Sequence, residues 1–152
     1  MLYTIVFFAV LLLVSALFSG TETAFTSVNE VSMSHYGKKG RRQSIVVDML
    51  KNKGSVIAAI LVGNNIVNTV LAVYAGAVFD QMLVDTGILS KSVAPILASV
   101  VTIIFLLVFG EVVPKQIGVA FAKPWTLAVV YPLKLIVIIV RPVTAAMDLL
   151  SR

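Results

Sequence analysis

Cysteine is absent from this 152-residue chain, and histidine occurs once, at His35. No disulfide can form, and thiolate or multi-imidazole metal sites are excluded. Charge is scarce too: Asp, Glu, Lys and Arg make up 12% of the residues, roughly half the fraction of about 25% usual in a soluble domain. No P-loop occurs, so no motif for ATP hydrolysis is present. With the lone His35 between apolar runs and no nucleophile–base pair in view, an enzyme is not expected.

What remains is apolar. Hydrophobic residues make up 59% of the chain, and the mean hydropathy is +1.03. The apolar runs are Leu2 to Phe18, Ser55 to Phe79, Ser92 to Phe109 and Trp125 to Val140. A spanning helix needs about 20 residues, so the first three qualify and the fourth is marginal. The first run has no Lys or Arg ahead of it and so lacks the basic flank of a cleaved signal peptide; it is expected to be a span. The chain reads as one all-α integral membrane domain over 1–152, with spans at about 2–22, 55–80 and 92–112.

The net charge of +5 follows from topology rather than from nucleic-acid binding. Lys38, Lys39, Arg41, Arg42, Lys51 and Lys53 crowd between the first two runs, and Asp48 is the one acidic residue within 38–53. Asp80, Asp85 and Lys91 lie between the second and third runs, and Lys115 and Lys123 follow the third. The positive-inside rule therefore predicts an N-terminus and an 80–91 loop outside, and a cytoplasmic C-terminus. A spanning fourth run would bury Lys134 and carry Arg141 and Arg152 outward, with Pro132 interrupting it. An interfacial or re-entrant fourth helix keeps the arginines inside and lets Lys134 snorkel to water. Three transmembrane helices plus cytoplasmic-side juxtamembrane helices at about 35–50 and 125–150 are expected, the first amphipathic and lying on an anionic inner leaflet. Ala72 and Gly76, four residues apart, suit close helix packing, and the absence of an internal repeat makes a homodimer attractive.

Polar residues inside the runs carry the functional argument, because an ionisable or amide group at membrane depth needs a partner or an ion. Asn64, Asn65 and Asn68 fall at about 0, 100 and 40 degrees around a helix axis, which predicts one shared sector. Hydrogen bonding between helices accounts for one such amide; three in five residues point to an ion or substrate site. Ser15, Ser19, Thr23 and Ser27 repeat every fourth position, with Glu22 three after Ser19. The Ser19–Gly20 step before Glu22 invites a kink that would free carbonyl oxygens into a cavity. Glu111 ends the third run, with Pro114 expected to break the helix. It reads either as an interfacial carboxylate paired with Lys115 or as a member of the same site. All these donors are oxygens, which suits magnesium, calcium, manganese, sodium or protons, and composition does not choose among them.

The segments FSGTETAFTS at 18–27, LVGNNIVNT at 61–69 and FGEVVPK at 109–115 resemble the membrane domain of the CorC / cyclin M (CNNM) family of magnesium transporters. The order, spacing and basic connection fit as well, over nearly the whole chain. The resemblance implies a homodimer in the cell membrane, with three membrane helices per protomer and a cytoplasmic belt of juxtamembrane helices. It implies transport of Mg2+, with Na+-coupled export, and a metal site on Ser19, Gly20, Asn64, Asn68 and Glu111. Glu22, Thr23 and Asn65 are second-line candidates along the ion path. It also implies cytosolic CBS modules in the full-length chain, beyond Arg152. A Mg2+-binding membrane sensor or anchor for such modules, and a passive cation channel, are the alternatives. Export against 100 mV costs about 4.6 kcal/mol for a divalent ion, which an inward sodium gradient can supply if the two sites are linked.

Overall fold

A computed structural model describes residues 2–36, 40–85 and 93–150. Among them every element is helical: α1 (Leu2–Ser27), α2 (Glu30–Ser34), α3 (Arg41–Lys51), α4 (Lys53–Asp85), α5 (Ala94–Phe105), a π-helical stretch Leu106–Val112, α6 (Val113–Ala120) and α7 (Ala122–Leu150). Four stretches are long and apolar enough to cross a membrane: Tyr3–Ser27, Lys53–Phe79, Pro95–Ala120 and Ala122–Val140. The fold is thus an all-α membrane bundle. By length and composition the fourth stretch joins the three expected spans, although the sequence argument placed it at the interface. Pro132 does not interrupt it, and α7 runs unbroken through that position. Neighbouring groups re-satisfy the backbone around proline in such helices. Of the charged positions used above, Lys38, Lys39, Lys91 and Arg152 lie outside the described residues.

α1 is the centre of the bundle, packed against α4, the π-helical stretch, α6 and α7. Close approach depends on glycine at two positions. A Cβ on Gly118 would collide with the carbonyl oxygen of Gly20, so the backbones of α1 and α6 touch there. A Cβ on Gly20 would fall 2.6 Å from Cζ2 of Trp125, which brings the start of α7 onto the same face. Trp125 fixes that contact by donating its Nε1–H to Thr21 Oγ1 at 3.2 Å.

Two ends of the bundle differ in character. Near the start of α1, Phe8, Phe79 and Phe105 form a triangle with ring centroids 5.9 to 6.3 Å apart. At the other end, Phe25 of α1 and Val28 just beyond it pack with Met33 of α2, Val46 and Leu50 of α3, and Val130 of α7. Asn29 caps α2 by accepting the Ser32 N–H at 2.7 Å. Lys53 donates to the carbonyls of Thr26 (2.9 Å) and Val28 (2.8 Å), groups left open where α1 stops. α3 is amphipathic, as its sequence implied, but Val46, Met49 and Leu50 are buried in this protein core. The apolar face of α3 packs against α7 and α4.

Candidate cation site

Between those two ends, buried oxygens from three helical stretches meet. On α1, Ser15 and Ser19 lie one turn apart and face α4, where Asn64 and Asn68 repeat the same spacing. Ser15 Oγ donates to Asn68 Oδ1 at 2.5 Å, and Ser19 Oγ reaches Asn64 Oδ1 at 3.4 Å. Ser15, Ser19 and Asn64 are 1%, 0% and 5% exposed, which puts these oxygens beyond the reach of bulk water. The third contributor is the backbone of the π-helical stretch, whose Gly110 carbonyl lies 3.4 Å from Ser15 Oγ.

The widened turn has a local cause. Pro114 has no N–H to give the carbonyl four residues back, which is Gly110, and its ring would clash with that carbonyl in a regular α-helix. The chain responds by lengthening the turn, so that the Val113 N–H bonds the Val108 carbonyl, five residues back. The helix is not broken at Pro114: it continues to Ala120. Gly110 also supplies room, because a Cβ there would sit 3.1 Å from Ser15 Oγ. The freed carbonyl was expected at Ser19–Gly20 of α1, but α1 passes through that step as regular helix.

Next along the chain from Gly110, and three residues beyond Ser19 on α1, are the carboxylates of a charged triad. Lys115 Nζ donates to Glu111 Oε1 at 2.8 Å and lies 3.8 Å from Glu22 Oε2. Glu22, Lys115 and Glu111 are 21%, 33% and 42% exposed, so the triad is only partly covered by the rest of the chain. Ion pairs this open are worth about 1 kcal/mol or less in water, weak enough to rearrange. No three His, Cys, Asp or Glu side chains cluster as metal ligands among the described residues. Any cation held here would therefore rely on amide, hydroxyl and backbone oxygens, with at most two carboxylates beside them. That set suits a hard cation.

The sequence-predicted residues divide accordingly. Across α1 and α4, Ser19 meets Asn64 and Ser15 meets Asn68, and Glu22 and Glu111 meet through Lys115. Gly20 faces Trp125 and α6 rather than the asparagines. Thr23 turns back on its own helix, donating to the Ser19 carbonyl at 3.0 Å, and so does Ser27 to Thr23. Asn65 is exposed on the outer side of α4 and does not share the sector of Asn64 and Asn68. A 100-degree offset from Asn64 is enough to take it off the packed face. Ser15 and the Gly110 carbonyl were not among the sequence candidates, yet they join the three helical stretches. The four-residue ladder and the Gly-x-x-x-Pro spacing were the available signals for them.

The family model of the cyclin M transmembrane N-terminal domain matches residues 6–152. Over 111 residues the chain is 32% identical to the UPF0053 inner membrane protein YfjD of Escherichia coli, covering 72% of this chain and 24% of that protein. It is 26% identical over 134 residues to the UPF0053 protein sll1254 of Synechocystis, covering 88% and 37% respectively. A UPF0053 protein of Haemophilus influenzae is 29% identical over 115 residues, covering 74% and 25%. The chain thus spans well under half the length of these relatives. A match over nearly every residue, on an all-helical bundle with polar groups gathered inside it, makes this chain a multi-pass membrane protein of the cyclin M transmembrane-domain family.

Proposed function

We propose that this chain is the ion-translocating domain of a secondary transporter that exports Mg2+ in exchange for Na+. The observation that carries the reading is the meeting of Ser15, Ser19, Asn64, Asn68 and the Gly110 carbonyl inside the bundle, beside Glu22 and Glu111. Polar groups in apolar spans are costly unless they pair with one another or meet a ligand, and every group gathered here offers oxygen. Magnesium takes about six oxygens at about 2.0–2.1 Å and often keeps some of its water. The metal set proposed is Ser19, Asn64, Asn68 and Glu111, with Gly20 contributing by letting the helices close and Glu22 lining the inner approach. Ser15 Oγ already sits on Asn68 Oδ1, so an ion that takes this amide oxygen must turn the hydroxyl aside or accept it as a further ligand.

In this reading three helices cross and α7 lies at the inner interface. Support comes from the middle of α7. Val130 and Leu133 share a core with the polar, basic α3, Tyr131 lies under the Arg42 guanidinium at 5.4 Å, and exposed Lys134 lines a cavity with Gln43, Asp48 and Lys51. The exposed Arg41, Arg42 and Lys51 of α3 suit an anionic headgroup layer, and α3 holds the middle of α7 beside it. The N-terminus is then outside and the C-terminus cytoplasmic. Two copies pair, with Ala72 and open Gly76 on the outer face of α4 as the proposed contact. Cytosolic CBS modules are proposed to follow this domain in the full-length protein.

The test is Mg2+ flux in proteoliposomes, read with a magnesium-sensitive dye with and without a sodium gradient, beside Asn68→Ala and Glu111→Gln. Sodium-dependent flux lost in both variants supports the exchanger. Flux indifferent to sodium supports a channel instead, and ion binding without flux supports a sensor.

A further inference from the structure

We propose that Lys115 is a tethered competitor of the transported cation, its ammonium occupying Glu111 and Glu22 until a divalent ion displaces it. The inference rests on the cation-site reading above and concerns how tightly that site holds its ion.

The geometry comes first. Lys115 Nζ lies 2.8 Å from Glu111 Oε1 and 3.8 Å from Glu22 Oε2, so one cation is shared by carboxylates from separate elements. Glu111 belongs to the π-helical stretch, next to the Gly110 carbonyl that faces Ser15. The ammonium therefore sits where the ionic part of a metal site adjoins its neutral part. It does not belong to the apolar core, and no other ion pair to Glu22 or Glu111 occurs among the described residues.

Chemistry sets the two cations in competition. An ammonium has three donors and no acceptor, and here it engages carboxylate oxygens that a metal would use. A metal at about 2.1 Å from such an oxygen leaves no place for an N–H on the same lone pair. Like charge then drives the ammonium outward. Its means of leaving are visible: Lys115 is 33% exposed and carries a flexible four-carbon stem that can swing away from the triad.

The consequence is a weaker, faster site. Two carboxylates facing an ion unopposed would hold a divalent cation tightly and release it slowly. With Lys115 present, the pair presents one net negative charge to an incoming ion, and the returning ammonium helps expel it. A lysine that merely oriented Glu111 would do the reverse, and its loss would weaken binding.

The test is calorimetric titration of the purified full chain with magnesium chloride, comparing wild type, Lys115→Met and Glu111→Gln. Lys115→Met is expected to lower the apparent Kd by at least about fivefold, through removal of a like charge close to the ion. An unchanged or raised Kd overturns the inference. Glu111→Gln separates the two failures. If it weakens binding while Lys115→Met does not tighten it, only the competitor role falls; if it binds as wild type does, the site reading falls with it.

A second measurement needs no variant. Wild-type protein is treated with an amine-acetylating reagent, with and without magnesium chloride, and modification at each lysine is read by mass spectrometry. Saturating Mg2+ is expected to raise labelling of Lys115 several-fold while exposed Lys51 stays constant. Unchanged or reduced labelling at Lys115 overturns the proposal.

Discussion

Adding a single methyl group at Gly118 probes the contact that brings α1 onto α6. The alanine Cβ would meet the Gly20 carbonyl oxygen, with the Gly20 carbonyl carbon and Cα each 3.1 Å away. All three atoms are backbone, so no side chain can rotate to make room. Overpacking a close contact costs about 1–3 kcal/mol. Alanine in place of a helical glycine returns roughly 0.5–1 kcal/mol through the unfolded chain. The net expectation is a loss of about 1–2 kcal/mol. At about 2–4 °C per kcal/mol for a domain of this size, the melting temperature in detergent should fall by roughly 2–8 °C. Gly54 is the control, since a Cβ there meets nothing within 4 Å. Gly54→Ala should leave the melting temperature unchanged or slightly higher. The same displacement would draw Glu22 on α1 away from Lys115, so Gly118→Ala should also lower the transport rate. An unaltered melting temperature in Gly118→Ala, or an equal fall in both variants, would refute the reasoning.

Other outcomes follow from particular contacts. Asn65→Ala should transport Mg2+ like wild type in the liposome flux assay while Asn68→Ala does not, because Asn65 is exposed and Asn68 meets Ser15. Thr102 is buried at 4% exposure and its hydroxyl has no partner among the described residues, so Thr102→Val should raise the melting temperature by removing an unsatisfied group worth about 1 kcal/mol or more. Lys53→Met frees the Thr26 and Val28 carbonyls at the end of α1 and should cost about 1 kcal/mol, read as a lower melting temperature and faster amide exchange over residues 26–28.

The membrane class and the helical content could be read from the chain, and long apolar runs set both. Ser19, Asn64 and Asn68 were named together as candidates, but their pairing across α1 and α4, with Ser15 as the partner of Asn68, was not. The placement of Asn65 could not be read this way. α4 is apolar around most of its circumference, so periodicity gives the angle between residues without saying which side faces a neighbour. Position 64 and position 65 differ by one step, and only the packing of α1 decides between them. The two backbone expectations failed for a related reason. Gly20 permits a kink but also permits close approach, and Gly118 opposite it selects the second use. Pro114 was expected to end a helix, but within the bundle a π-helical turn absorbs it and points the Gly110 carbonyl at Ser15. Lys115 was foreseen as a partner for Glu111; its reach to Glu22 depends on the α1–α6 crossing, which no local pattern encodes.

Locating a bound ion is the most direct trial of the cation site. Mn2+ shares the oxygen preference of Mg2+ and scatters anomalously, so crystals grown with manganese report its position independently of any mutation. The account predicts one strong peak inside the bundle, with Asn64 Oδ1, Asn68 Oδ1 and a Glu111 oxygen among its neighbours. Manganese confined to surface carboxylates such as Asp48, with Ser15 still bonded to Asn68 and nothing between α1 and α4, would contradict it.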